Sequence, residues 1–104
     1  MAERVFIKVD LKNIINVTRV ITINRYRLAP IYRNKGEVHD FWEMVYVDKG
    51  KVLVSNEKDE KILSQGDIVF HKPNEFHAVS ANHKSPSNVF VISFVSTSKN
   101  MVYF

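Results

Sequence analysis

Imidazole and carboxylate side chains hold divalent metals, bind polar ligands and move protons near neutral pH, and this sequence spaces several of them closely. Glu37, His39 and Glu43 stand in the run Gly36-Glu37-Val38-His39-Asp40-Phe41-Trp42-Glu43, with Gly50 beyond it. A further imidazole, His77, ends the run Gly66-Asp67-Ile68-Val69-Phe70-His71-Lys72-Pro73-Asn74-Glu75-Phe76-His77. Side chains of an extended strand alternate between faces. Glu37, His39, Phe41, Glu43, Val45 and Val47 therefore share one face, and Val38, Asp40, Trp42, Met44 and Tyr46 the other. The first face carries polar groups around Phe41 at its start and valines at its end. That is the build of a cavity wall with an apolar floor and a few convergent polar groups near the mouth, Glu37 and Phe41 outermost. With His77 turned to the same interior, the site holds two imidazoles and up to two carboxylates.

Two chemistries are open to that set. His39, Glu43 and His77 form a two-histidine, one-carboxylate group for iron, manganese or zinc, with Glu37 as a fourth donor and positions left for a substrate. Without metal, the same residues line a pocket as hydrogen-bonding groups, Glu43 holding His39 protonated. No nucleophile motif of the Gly-x-Ser-x-Gly kind and no phosphate loop accompanies them. His71, in a strand with Ile68, Val69 and Phe70, and His83, in a polar loop, read as structural or surface residues. Trp42 and Tyr46 read as packing or interface residues.

The elements that must position these groups are strands. Residues 17–28 are rich in β-branched side chains, 41–48 form a second strand, and Asp48-Lys49-Gly50 turns into a third over 51–55. Residues 56–61 are all polar and read as a loop tip. Ile62-Leu63 leads through Gln65-Gly66-Asp67 into a strand over 68–71, and Pro73-Asn74-Glu75 turns into a short one over 77–80. Residues 83–88 form a loop, and 88–95 a strand with apolar residues on both parities, which must be covered on both faces. Residues 11–16 are the only segment with a helical reading. Many short strands divided by turns, with no long helical period, predict a sandwich or barrel.

The chain has 104 residues, 45% of them hydrophobic and 25% charged, as expected of one folded domain. A domain this short buries about two-thirds of its unfolded surface, so pairing with a second copy would help it. There is no cysteine, which excludes disulfides and thiolate metal sites. Neither a secretory leader nor a membrane span is expected, and the cytoplasm is the expected location. The net charge is +4, and Arg25, Arg27, Arg33 and Lys35 interleave with Tyr26 and Tyr32. Without a nucleic-acid-binding motif beside them, these read as a solvated strand face rather than a phosphate-contacting strip.

The pattern Glu-x-His-x3-Glu-x6-Gly from Glu37 to Gly50, followed by Gly-Asp-x5-Pro-x3-His from Gly66 to His77, resembles the two conserved motifs of the cupin superfamily. The stretch His-Asp-Phe-Trp-Glu-Met-Val-Tyr-Val before Gly50 resembles the N-terminal ligand-binding domains of AraC-type transcription regulators. The resemblance covers a little over half the chain. It implies an all-β, antiparallel cupin-like barrel (a double-stranded β-helix, or jelly roll) with its pocket inside. His39, Glu43 and His77 match motif positions, whereas Glu37 stands where metal-binding cupins have their first histidine. Pro73 comes one residue late, Asn74 replaces a turn glycine in a position it tolerates, and Ala81 stands where asparagine is usual.

The resemblance implies a single sensor domain over 1–104: an arm over 1–16, the barrel over 17–95, and the start of a further element over 96–104. A helix-turn-helix DNA-binding domain would follow in the full regulator. The expected function is sensing a small molecule, with a carbohydrate suited to the mix of donors and acceptors, and controlling DNA binding through that missing domain. The expected ligand-binding residues are His39, Glu43, His77, Glu37 and Phe41. Neither catalysis nor a cofactor is expected, and a homodimer without membrane contact is. The alternative is a free-standing cupin enzyme of the dioxygenase or isomerase type, with one divalent metal on His39, Glu43 and His77.

Overall fold

The computed structural model describes residues 17–82 and 86–97. They form seven strands: β1 (Val17–Leu28), β2 (Trp42–Lys49), β3 (Lys51–Asn56), β4 (Glu60–Ser64), β5 (Ile68–His71), β6 (His77–Ala81) and β7 (Ser87–Ser96). There is no helix among the described residues. All pairings are antiparallel, in a four-stranded sheet ordered β1-β7-β2-β5 and a three-stranded sheet ordered β4-β3-β6. The all-β antiparallel architecture expected from the sequence is the one observed. The helical reading over 11–16, the arm over 1–16 and the element after 97 lie outside the described residues, as does His83.

The bounds of β1 and β5 fall where the β-branched runs and turn residues place them. Two loops are shorter than their composition suggests. β4 begins at Glu60, inside the polar run, because Glu60 and Lys61 pair with Ser55 and Val54 of β3 and need no apolar side chain to do so. β7 begins at Ser87, whose side chain is fully buried beside the β2–β3 turn. That turn requires Gly50, which has φ +78° and whose absent Cβ would press on Pro86 O and Ser87.

The core lies between the sheets. Val45 and Val47 of β2, Val52 and Val54 of β3, Leu63 of β4 and Val89 of β7 form its centre, capped by Leu28 and Ala81. Alternate residues of β2 and β3 face it, the alternation that burying one sheet face requires, whereas β1 contributes only Leu28 and β4 only Leu63. The outer face of the four-stranded sheet holds a second apolar cluster. Trp42 stacks near Phe94, Phe70 meets Phe94 edge-on, and Met44 and Ile92 pack against them. Trp42 thus packs as expected, and β7 is apolar on both sides for this reason. Arg25 lies 5.7 Å above the Phe90 ring and pairs with Asp48 at 3.7 Å. Arg33 donates to the carbonyls of Tyr32 and Ala81.

The segment between β1 and β2 corrects one sequence expectation. Residues 37–41 are not the start of β2, which opens only at Trp42. The chain leading into them, from Tyr32 to Glu37, runs along the free edge of β6. Ala81 N–H donates to Tyr32 O, Asn34 N–H to Ser80 Oγ, and Glu37 and His77 exchange two backbone hydrogen bonds of 2.8 and 3.1 Å. Gly36 permits the bend: its φ is +106°, and a Cβ there would collide with the Phe76 ring. Alternation from Glu43 back to Glu37 therefore breaks at the start of β2, although both carboxylates still reach one place.

Candidate functional site

The site forms where that segment meets the β5–β6 turn. Three backbone bonds fasten the two: the Glu37–His77 pair, and Asn74 N–H to His39 O at 2.7 Å. Asn74 has φ +64°, the left-handed conformation its place in the turn requires. β2 delivers Glu43 from the other sheet. Its neighbours in register are His71 on β5 and Ser93 on β7, so one row across the sheet is polar.

His39 Nε2 lies 3.6 Å from Glu43 Oε1, and His77 Nε2 lies 3.2 Å from Glu43 Oε2. One donor atom from each of Glu37, His39, Glu43 and His77 lies within 4.8 Å of the others. His77 is 1% exposed and Glu43 8%, while Glu37 stands at the surface. Of the five expected ligand-binding residues, the structure brings these four together. Phe41 sits differently: its ring stacks on His39, centroids 4.1 Å apart and planes 5° from parallel.

Backbone carbonyls fix the protonation of both rings. His39 Nδ1–H donates to Phe41 O at 3.0 Å, and His77 Nδ1–H donates to Glu75 O at 2.8 Å. A carbonyl only accepts, so each Nδ1 carries the proton and each neutral ring turns a bare lone pair outward at Nε2. Both Nε2 atoms are buried without a hydrogen-bond partner. His39 Nε2 lies beyond hydrogen-bond reach of Glu43, and His77 Nε2 meets it at an ion-pair distance. Two lone pairs facing a carboxylate repel unless a cation lies among them, either a proton or a metal ion.

The electrostatics carry the same demand. Burial pushes Glu43 upward, but direct contact with His77 and the nearby imidazoles outweigh it, and the carboxyl settles below its ordinary value. Burial pushes His77 downward, but Glu43, the Glu75 carbonyl and the Glu37 charge together raise it. His71 is lowered by burial first and by the neighbouring His77 second, so it stays neutral.

A cleft of about 550 Å³ opens beside the cluster, within the range of small-molecule sites. Glu37, Glu43 and His77 line one side, Tyr26, Tyr32 and Asn34 another, and Leu28, Val79, Val89 and Val91 give it an apolar wall. His39, though one of the four donors, and Phe41, stacked on it, do not line this cleft. The sequence reading placed Tyr26 and Tyr32 in a surface strip and missed their part in the cleft. The alternation of β1, which turns Tyr26 inward with Leu28, was the available signal. His71, read as structural or surface, is 3% exposed and stacks on His77 at 4.4 Å and 11°. The shared parity of Val69 and His71 was the signal there.

The donor set suits a divalent cation. Two imidazoles locked by second-shell carbonyls, with buried and unpartnered Nε2 atoms, are the arrangement metal-binding histidines adopt. Ligands about 2.0–2.2 Å from one ion lie at most about 4.4 Å apart, so the observed spread closes on an ion with shifts of a few tenths of an ångström.

Comparison with known proteins agrees with this architecture. Residues 25–93 match the family model described as a cupin domain, and the chain belongs to that family. A predicted oxalate decarboxylase from Thermotoga maritima superposes with a TM-score of 0.69 at 16% identity, over 73% of this chain and 67% of that one. A cupin superfamily protein from Desulfitobacterium hafniense gives 0.67 at 15% identity, over 77% and 71%. A cupin-like protein from Thermotoga maritima gives 0.65 at 24% identity, over 68% and 54%. At these identities the likeness concerns the fold. No curated protein matches the sequence.

Proposed function

We propose that this chain is a cupin domain that binds a small molecule at a divalent metal, with His39, Glu43 and His77 as the buried ligands and Glu37 as the ligand nearest solvent. The observation that carries the reading is the pair of buried Nε2 lone pairs, each fixed by a backbone carbonyl and each turned toward Glu43. The sequence held this arrangement as its alternative, and those nitrogens move it ahead of the metal-free pocket. Two carboxylates and two imidazoles favour manganese, iron or zinc over softer ions. When bound, the ion acts as a Lewis acid toward an oxygen of the ligand.

The protein's own groups do the rest. Phe41 and Glu75 carbonyls hold the two rings in their tautomers, and Glu43 supplies negative charge to the buried side of the site. The apolar wall of the cleft sheds water from the carbon skeleton of the ligand, and the phenols of Tyr26 and Tyr32 offer hydrogen bonds to its oxygens. One structural neighbour is a predicted oxalate decarboxylase, and a small oxygen-rich ligand of that kind suits these donors.

A second reading keeps the cleft and dispenses with the ion: the effector-binding half of an AraC-type regulator. The size of the cleft and its aromatic rim favour it, since a carbohydrate would find both stacking faces and hydroxyl partners there. A homodimer suits either reading. β1 is the edge strand of its sheet and exposes Val17, Val20, Ile21 and Ile23, apolar surface that a second copy would cover. The readings part on one experiment. Metal-free protein incubated with manganese, iron(II) or zinc and then desalted should retain about one ion per chain. Retention of none, with a sugar or other metabolite raising the melting temperature of the metal-free protein, would replace the first reading by the second.

A further inference from the structure

Four rings stand in a continuous row through the site. Phe41 lies flat against His39, His39 meets His77 edge-on at 4.7 Å and 70°, and His71 lies flat against His77 at 4.4 Å and 11°. The two inner rings are the proposed metal ligands, and each has an aromatic plate on one face. His71 is the less expected plate. It comes from β5, sits directly across the register from Glu43, and has 4% of its side chain exposed.

We propose that His71 is a positioning residue, which holds the His77 ring in the plane that aims its Nε2 at Glu43 and at the bound ion. The inference rests on the metal-site reading above. A hydrogen bond from Nδ1–H fixes one point of an imidazole but leaves the ring free to rock about that bond. For His77 that point is Glu75 O. A parallel ring in contact with its face removes the remaining freedom. Glu75 serves both rings, its carbonyl accepting from His77 and its carboxylate lying 3.8 Å from His71 Nδ1. Its backbone therefore sets the distance of His77 while its side chain holds the plate in place. On the other side, His39 has the same two supports, the Phe41 carbonyl and the Phe41 ring, supplied by one residue. What Phe41 does alone for the first imidazole, Glu75 and His71 do together for the second.

Flatness is the property the proposal assigns to His71, so His71→Phe keeps it and His71→Leu removes it at similar volume. Cobalt(II) titration of the metal-free protein, read by its visible d–d bands, should give His71→Phe an affinity within a few-fold of the wild type. His71→Leu should bind roughly 10–100-fold more weakly, the usual loss on removing an outer partner, and show a changed band pattern. Melting of the metal-free variants separates this from unfolding, because His71→Leu should keep a cooperative transition. A second readout does not need the metal. In NMR spectra of the metal-free protein, the His77 Nδ1–H resonance should remain slow to exchange in wild type and His71→Phe, and broaden in His71→Leu. Wild-type protein that binds no cobalt, with the NMR difference intact, would remove the metal reading and leave the positioning role. His71→Leu with wild-type affinity and an unchanged His77 resonance would overturn the positioning role itself.

Discussion

The inner face of the four-stranded sheet changes character within one row of residues. Glu43 has His71 and Ser93 as its neighbours across β5 and β7, whereas Val45, two residues along the same strand, has Val69 and Val91, and Val47 has Val89. The polar row is buried throughout, and the valine row is buried at Val45, Val47 and Val89 with Val69 and Val91 partly so. The valine row joins Val52, Val54 and Leu63 in the main core and leaves no polar atom to satisfy. The polar row leaves His71 Nε2 without a partner, along with the Nε2 atoms of His77 and His39 beside it. Such a buried group costs about 1–3 kcal/mol when unpaired, and three of them gather here, against the lone Ser87 Oγ beside the β2–β3 turn among the described residues. One end of the barrel is built for stability and the other for binding.

That contrast predicts opposite behaviour of substitutions a few ångströms apart. The largest effect belongs to the polar row and the imidazole that meets it: Glu43→Gln or His77→Ala should weaken metal binding beyond the roughly 100-fold loss typical of an outer partner. Melting of the metal-free protein should stay cooperative, with calorimetric titration and thermal unfolding as the paired measurements. The valine row should do the reverse. Val47→Ala removes two methyl-sized groups at about 0.8 kcal/mol each and leaves a cavity, so it should cost about 2–3 kcal/mol of stability. Metal affinity should remain, and denaturant unfolding checks the stability loss. If Val47→Ala abolished binding while leaving stability alone, the division between the rows would be lost.

Acid and base should also distinguish the two ends. Glu43 titrates below its ordinary 4.5 and His77 above its ordinary 6.5. The carboxylate contributes fully above 4.5 and loses its share as the pH falls through its lowered value. His77 contributes fully below 6.5 and loses its share as the pH rises through its raised value. Their pairing is therefore complete between 4.5 and 6.5. His71 works the other way, since its lowered value withdraws stability as the pH drops below 6.5. The metal-free protein should melt highest near the upper end of that interval. His77→Gln should remove the decline on the alkaline side and weaken Glu43's share of the acid-side decline, leaving the part driven by the burial of His71. Metal, which competes with the His77 proton, should bind more tightly as the pH rises through the same region. The smallest effect belongs to the surface. The Arg25–Asp48 pair is exposed and 3.7 Å long, so Arg25→Ala should change stability by less than about 1 kcal/mol in urea unfolding.

How much of this was legible in the sequence follows from what each feature depends on. β1 and β5 were readable to the residue because β-branched runs and the Gly66 and Pro73 turns are local signals. The meeting of His39, Glu43 and His77 was readable through motif spacing. Glu37 reached the site for a reason the spacing did not contain. Strand alternation was expected to carry it, but a left-handed Gly36 packed on Phe76 and a backbone pair with His77 do so instead. Phe41 was expected at the mouth and instead stacks on His39 away from the cleft lining, since β2 opens only after it. His71 was passed over because its importance lies in cross-sheet register with Glu43, and register between β2 and β5 depends on the whole fold. Tyr26 and Tyr32 were read with the arginines beside them, since polar neighbours in sequence hide which face each side chain takes.

The proposed metal site stands on two imidazoles offering Nε2 to one ion. The direct test is copper(II) added at one equivalent to the metal-free protein, followed by pulsed electron paramagnetic resonance, which detects the remote nitrogen of each coordinated imidazole. The expected spectrum shows modulation from two equatorial imidazoles bound through Nε2, falling to one in His77→Ala. A spectrum with no imidazole, or one unchanged by that substitution, would contradict the site.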